Sequence, residues 1–198
     1  MTLYRCLKPR RRSVDHSNAG RVKRRRDREG PSRVIESERI ESTRLLLQPL
    51  TLEQGDAFSR GDRDAQQWAP GFPTDGDLRQ AQILANNPER AVSQVNVWGP
   101  YTLTEKRTRL CIGGIGFKRL PDATGTVEIG YGICASRQGL GFMTEAAGRL
   151  CELARVEGAL AVTAETLALN VASQRVLEKC GFTRLSTQHE SIWWRLQL

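Results

Sequence analysis

The chain has 198 residues, 39% of them hydrophobic and 26% charged, with a formal net charge of +8 at pH 7. This length allows one sizeable core and at most two small domains. No stretch is apolar enough to span a membrane, so we expect no membrane-spanning segment, and the net charge by itself indicates nucleic acid or another anionic partner.

The positive charge is concentrated at the beginning of the chain. Residues 1–34 hold twelve Lys and Arg against three Asp and Glu, which leaves residues 35–198 nearly neutral. The segment has few large apolar residues and no periodicity, so we predict a disordered basic tail that lacks the apolar part of a secretory signal. Three interpretations stay open: a nucleic-acid or ribosome-binding arm, a solvated extension, and a start site assigned too far upstream.

The cysteines and histidines limit the chemistry. Five widely spaced cysteines without a C-x-x-C pair favour a reducing compartment, which we take to be the cytoplasm, and argue against a metal site. Because the chain has only two histidines, catalysis built on a buried histidine is not expected.

The predicted domain, residues 41–198, begins with a strand and two helices. Residues 43–51 have a strand pattern, residues 52–67 a weak helical pattern, and residues 77–86 a further helical pattern. The Pro/Gly loop between the helices carries Trp68 and Phe72. Aromatic side chains in such a loop either line a site or cover the core, and the sequence does not decide between these roles.

The following elements begin with a series of strands. Tight turns separate strand patterns at 93–105, 109–120 and 126–135, which predicts an antiparallel meander. After the meander we predict a helix over 144–157, a strand over 159–168, a helix from Asn170 to Gly181, and strands over 182–187 and 190–197.

The segment RQGLGFMTEA, residues 137–146, joins the meander to the next helix. Gly139 and Gly141 allow backbone amides to approach a ligand, and at a helix N-terminus such amides bind anions. No Gly-Lys-Ser/Thr follows, which excludes a Walker A loop, and a dinucleotide fingerprint fails because Thr144 stands where its third glycine belongs. On this segment alone, a glycine-rich turn without a ligand stays open.

Two motifs taken together indicate a family. The segment QGLGFMTEA after a meander, followed at residues 170–182 by NVASQRVLEKCGF, resembles the GNAT superfamily of N-acetyltransferases, and within it the ribosomal-protein N-terminal acetyltransferases (the Rim type). The resemblance covers about residues 41–198 and implies an α/β fold with a mixed, mostly antiparallel central sheet and helices on both faces. It also implies acetyl-CoA as co-substrate, no metal, and transfer of an acetyl group to a primary amine by direct attack in a ternary complex.

The resemblance also assigns the co-substrate contacts. In that family the amides of the glycine loop bind the pyrophosphate, and the end of the preceding strand pairs with the pantetheine arm. The matching residues of this chain are Ile133, Cys134, Ala135, Gln138, Gly139, Leu140, Gly141, Phe142, Met143, Thr144, Asn170 and Ser173. Leu140 and Met143 depart from the family's usual basic and small residues, and Leu177 stands where many members carry a tyrosine that protonates the thiolate.

The candidate catalytic residues are Glu128 and Ser173. Glu128 shares one face of its strand with Gly130 and Gly132, which leave room for a substrate, so we predict that it is the general base and acts through water. An ion pair within the sheet is the alternative. Ser173 matches a serine that is a proposed partner of the thiolate in the Rim-type branch, and its alternative is a hydrogen bond to the Asn170 carbonyl.

The acceptor is open at this stage. Trp68, Phe72, Trp98 and Tyr101 either line its pocket or belong to the core, and a protein N-terminus, a small amine and an aminoglycoside are all candidates. We expect a monomer or a homodimer. The competing interpretation is a nucleic-acid- or ribosome-associated module with a degenerate acetyltransferase fold, which binds through its basic tail.

Overall fold

The computed structural model describes residues 39–62, 67–93 and 96–198. The predicted basic tail, residues 1–34, lies outside these described residues. The strands and helices in chain order are β1 (Ile40–Glu41), β2 (Leu45–Pro49), α1 (Leu52–Arg60), α2 (Asp75–Asn86), β3 (Pro100–Glu105), β4 (Cys111–Phe117), β5 (Thr126–Ile133), α3 (Phe142–Val156), β6 (Ala161–Leu167), α4 (Val171–Lys179), β7 (Thr183–Gln188) and β8 (Ser191–Gln197).

The eight strands form one sheet in the order β1-β2-β3-β4-β5-β6-β8-β7. All neighbouring strands are antiparallel except β5 and β6, which are parallel. The prediction of a mixed, mostly antiparallel sheet is therefore confirmed. In the part of the chain that the structure describes, no helix combines the length and the apolar character needed to cross a bilayer.

Helices cover both faces of the sheet, as predicted. On one face, Asp77 of α2 lies over Gly114 of β4. On the other face, α3 packs against β4, β5 and β6. The core on this side holds some of the largest fully buried side chains, among them Phe117, Ile129 and Leu150. Burial of these apolar surfaces is the main source of stability for such a layered fold.

Strand β5 changes its neighbours along its length. It pairs with β6 over residues 126–129 and with β4 over residues 129–133. The second half of β5 therefore has a strand on only one side among the described residues. The sheet opens at this point, next to the N-terminus of α3, and the opening creates the space that the candidate site occupies.

Side chains cap three of the four helices at their N-termini. Thr51 and Thr74 each form a reciprocal capping box, and the Asn170 side chain accepts a hydrogen bond from the Ser173 amide. Helix α3 differs, because it begins after Gly141, which has φ 80° and contributes no side-chain cap. The first-turn amides of α3 consequently have neither an intrahelical partner nor a cap from the residue that precedes the helix.

Three boundaries differ from the sequence-based predictions. The helix predicted over 52–67 ends at Arg60, because Gly61 adopts a left-handed conformation (φ 69°) and its amide closes the last turn. The strand predicted from residue 93 begins only at Pro100, since Ser93 pairs locally with Asn96. The two-residue strand β1 was not predicted; it is defined only by pairing with β2.

Candidate functional site

A cleft of about 580 Å³ lies where β5 separates from β6. Its walls are the end of β5, the glycine loop, the first turn of α3 and one side of α4. Nine of the twelve residues predicted to bind the co-substrate line it: Ile133, Gln138, Gly139, Gly141, Phe142, Met143, Thr144, Asn170 and Ser173. The structure thus brings residues from two distant motifs to one cleft.

The other three predicted residues do not line the cleft. Cys134 is fully buried, and its amide donates a hydrogen bond to the Ile112 carbonyl over 2.9 Å. Ala135 is exposed at the start of a 3-10 turn. The side chain of Leu140 is exposed, and its carbonyl accepts a hydrogen bond from Arg44.

The electrostatic character of the cleft suits an anion. Gly139 (φ 73°) and Gly141 (φ 80°) adopt left-handed conformations that direct the loop toward the uncapped first turn of α3. Three cationic side chains, those of Arg137, Arg175 and Lys179, also line the cleft. The spacing of Arg175 and Lys179 places both on the same side of α4, a signal that the sequence contained but that sequence reasoning missed.

Arg44, just before β2, holds the glycine loop from the outside. Its Nε lies 2.7 Å from Glu145 Oε2, its Nη1 lies 2.9 Å from the Leu140 carbonyl, and its guanidinium is 4.4 Å from the centre of the Phe142 ring. Partial burial raises the pKa of Glu145, but hydrogen bonds from Ser42 and from the Arg44 backbone and side chain lower it overall. The Glu145 carboxylate is therefore well suited to fix the start of α3.

A second ion pair holds the other end of the loop. The Nε of Arg137 lies 3.0 Å from Oε2 of Glu105, whose side chain is only 5% exposed. Glu105 belongs to β3, so the pair connects the segment before the glycine loop to the body of the sheet. The loop is consequently fixed on both sides before any ligand binds.

Tyr131 and Ser173 meet inside the cleft. The two hydroxyl oxygens are 2.8 Å apart, and the Tyr131 hydroxyl also donates to the Ser173 carbonyl over 3.2 Å. Burial raises the pKa of Tyr131 to about 12, with the Ser173 hydrogen bond lowering it in part. At neutral pH this tyrosine is therefore a neutral hydroxyl. Sequence reasoning missed it, because the alternation of β5 assigned Tyr131 to the core.

A second cavity of about 180 Å³ lies on the opposite face, under α1 and α2. Its floor is formed by four glycines, Gly114 and Gly116 of β4 and Gly130 and Gly132 of β5. Tyr131 and Gly132 line both this cavity and the cleft. The two spaces are therefore separated by little more than one strand.

The four aromatic residues proposed for the acceptor lie in different places. Tyr101 lines the second cavity, together with Phe58, which the sequence had not singled out. Trp68 and Phe72 are buried and pack edge-to-face with Phe58 at ring distances of 5.5 and 5.2 Å. Trp98 packs against Phe117 of the core, at 4.9 Å.

Glu128 lies on the glycine face of β5 and forms an ion pair. Lys118 passes over Gly130, and its Nζ lies 2.5 Å from Glu128 Oε1. The Glu128 side chain is 16% exposed. Of this pair it is Lys118 that lines the second cavity, so Glu128 reaches that space only next to the lysine.

Comparison with known proteins agrees with this arrangement. Residues 44–183 match the family described as acetyltransferase (GNAT) domain. The chain is 30% identical over 149 residues to the uncharacterized N-acetyltransferase YjdG of Bacillus subtilis (strain 168), a match that covers 72% of this chain and 88% of YjdG.

Solved structures share the fold at low identity. A putative ribosomal-protein-serine acetyltransferase from Vibrio cholerae has a TM-score of 0.57 at 19% identity, covering 81% of this chain and 97% of that one. RimL, a ribosomal L7/L12 alpha-N-protein acetyltransferase solved in complex with coenzyme A, has a TM-score of 0.59 at 18% identity, covering 81% and 98%.

Proposed function

Because the chain belongs to the GNAT acetyltransferase family, we propose that it moves an acetyl group from acetyl-CoA to a primary amine by direct attack in a ternary complex. The observation that carries this proposal is the meeting of two cavities at Tyr131 and Gly132. One cavity suits an anionic co-substrate and the other a small group on the opposite face. A thioester at the junction is accessible from both sides.

Acetyl-CoA fits the residues of the larger cleft. Its phosphates carry negative charge, which the first-turn amides of α3 and the cations Arg137, Arg175 and Lys179 stabilise. The splayed end of β5, with Ile133 in the cleft wall, leaves backbone groups for the amides of the pantetheine arm. The coenzyme A complex of RimL supports the same co-substrate within this fold.

Three proton-bearing groups account for the chemistry. The amine nitrogen forms a bond to the thioester carbonyl carbon, loses a proton, and the carbon–sulfur bond breaks to release the thiolate. We propose that Glu128 accepts the amine proton through water, next to its Lys118 partner. Ser173, with Tyr131 bonded to it at 2.8 Å, then donates a hydrogen bond to the departing thiolate.

The acceptor is a primary amine of a protein N-terminus or a small molecule. RimL is named for acting on a ribosomal protein, whereas another structural neighbour, MccE, is a self-immunity acetyltransferase solved with acetyl-CoA and AMP. The alternative function, binding of nucleic acid or the ribosome through a basic tail, depends on residues 1–34 and has no support in the described part of the chain.

Titration calorimetry of the full chain with acetyl-CoA tests the first half of this proposal. Gly139→Ala is expected to weaken binding about tenfold, because φ 73° strains any residue with a Cβ by about 1–2 kcal/mol. Gly148→Ala is the matched control, since both positions have open space around a Cβ but Gly148 lies within α3. Equal effects of the two substitutions would contradict a role of the loop in binding.

Release of the coenzyme A thiol in the presence of amines tests the second half. The full chain is expected to release thiol faster with primary amines than with water alone. Binding of acetyl-CoA without any amine-dependent release would reject the proposed transfer while keeping the co-substrate site.

A further inference from the structure

The second cavity contains a buried carboxylate that sequence reasoning did not single out. Asp77, in the first turn of α2, is only 7% exposed and lines the cavity. Its Oδ2 accepts hydrogen bonds from the Thr74 amide (2.9 Å) and the Thr74 hydroxyl (2.6 Å). Both contacts that cap the helix thus use one oxygen.

The other oxygen, Oδ1, is directed at the floor of the cavity. It lies 2.5 Å from the position that a Cβ atom on residue 114 would take, so only glycine is compatible with this placement. Among the described residues no hydrogen bond or ion pair reaches Oδ1. A carboxylate oxygen that is buried in this way is stabilised strongly when a cation with N–H donors binds to it.

The location of Oδ1 connects it to the reaction. Gly114 pairs directly with Gly132, which lines both the cavity and the acetyl-CoA cleft. A group bonded to Oδ1 therefore lies over the point where the two spaces meet. Lys118, the cation in the cavity wall, is already bonded to Glu128, so Asp77 is the carboxylate that remains for a ligand.

We propose that Asp77 binds the ammonium group of the acceptor, which makes the acceptors aliphatic primary amines that arrive protonated. The inference rests on the proposed acetyl transfer. The ammonium donates a hydrogen bond to Oδ1, which holds the nitrogen over the Gly114–Gly132 pair. One of its other protons then leaves toward Glu128 before the nitrogen attacks, so Asp77 selects and orients the substrate.

A purely structural role is the alternative, because Asp77 is part of a capping box. The two roles respond differently to Asp77→Asn. The asparagine oxygen can accept both bonds from Thr74, while its amide group replaces Oδ1 and removes the negative charge from the cavity. Asp75→Asn is the matched control, since it removes the same charge from the same helical turn at an exposed position.

Steady-state transfer by the full chain at saturating acetyl-CoA tests the inference with two probes of similar shape. Benzylamine is a cation at neutral pH, and aniline is not. In the Asp77→Asn variant we expect the KM for benzylamine to rise about tenfold or more, with kcat changed much less. The kcat/KM for aniline and the affinity for acetyl-CoA should stay within about twofold of wild type, as should every constant of Asp75→Asn.

Several results would overturn this assignment. An unchanged KM for benzylamine rejects the role of Asp77 alone, because the wild-type transfer still stands. An equal loss for both amines, or the same loss in Asp75→Asn, indicates a structural effect of the helix. A wild-type chain that binds acetyl-CoA but acetylates neither amine rejects the inference together with the proposed transfer.

Discussion

Replacement of Arg44 by alanine is expected to weaken acetyl-CoA binding about tenfold, although Arg44 does not line the cleft. The substitution removes the bond to Glu145 Oε2, the bond to the Leu140 carbonyl and the contact with the Phe142 ring. It keeps the 2.7 Å bond from the residue 44 amide to Glu145 Oε1. The loop thus loses its side-chain contacts to Arg44 but not its whole connection to β2.

The magnitude follows from the exposure of the arginine. A hydrogen bond to a charged group contributes about 1.5–3 kcal/mol when shielded, but the Arg44 side chain is 44% exposed, which reduces each bond to about 0.5 kcal/mol. The cation–π contact adds about 0.5–1 kcal/mol at an exposed site. The total is about 1.5–2 kcal/mol, and a tenfold weaker Kd corresponds to about 1.4 kcal/mol if most of it orders the loop.

Calorimetry with acetyl-CoA and thermal unfolding together separate this effect from general instability. Arg44→Lys keeps the positive charge but not the planar fork, so its Kd should lie between those of wild type and Arg44→Ala. If Arg44→Ala binds acetyl-CoA as tightly as wild type, the loop is ordered by its own glycine conformations and the reasoning fails.

Four further outcomes are expected. Glu128→Gln should lower the transfer rate by about 10²–10⁴ and leave acetyl-CoA binding intact, and an undiminished rate would make the carboxylate a sheet residue only. Tyr131→Phe and Ser173→Ala should each lower kcat, and the double variant should lose less than the sum of the two in free energy, because the hydroxyls act as one pair; full additivity would argue against that pair. Burial raises the pKa of Asp77 despite the Thr74 hydrogen bonds, so the folded state keeps this proton to higher pH than the unfolded state, and stability should fall as the pH rises from about 4 through the raised pKa; thermal unfolding of Asp77→Asn should lack this component. Removal of residues 1–34 should leave amine transfer unchanged, and a large loss would show that the tail contributes to the site.

Most of the fold followed from local patterns. The strand predicted over 126–135 is β5 over Thr126–Ile133, and the predicted cap at Asn170 begins α4. Local patterns failed where tertiary contacts decide. Arg44 and Glu145 are 101 positions apart in the chain, so no spacing rule connects them. Tyr131 follows the alternation of its strand, but the strand has left β6 at that residue, and its side chain consequently meets α4 instead of core.

The site residues divide along the same line. The glycine loop and Ser173 could be named because they belong to contiguous motifs at helix N-termini, where backbone geometry alone determines the chemistry. The acceptor side could not, since its cavity is assembled from α1, α2 and three strands. Two of the four aromatic residues named for it, Trp68 and Phe72, pack with Phe58 in a buried cluster, and hydrophobicity alone does not distinguish a pocket wall from a core.

The glycine floor of the second cavity also restricts how this protein can vary. A methyl group at residue 116 would lie 2.6 Å from the Pro100 Cα, and one at residue 114 would displace Asp77, whereas one at residue 130 would meet only the flexible end of Lys118. Natural or engineered variants can therefore narrow the floor at residue 130 alone, and nothing on the floor can be trimmed further. Access for bulkier acceptors has to come from shorter side chains at Phe58 and Gln80 on the helices above. Relatives that differ in acceptor size should consequently differ there, over a nearly invariant sheet.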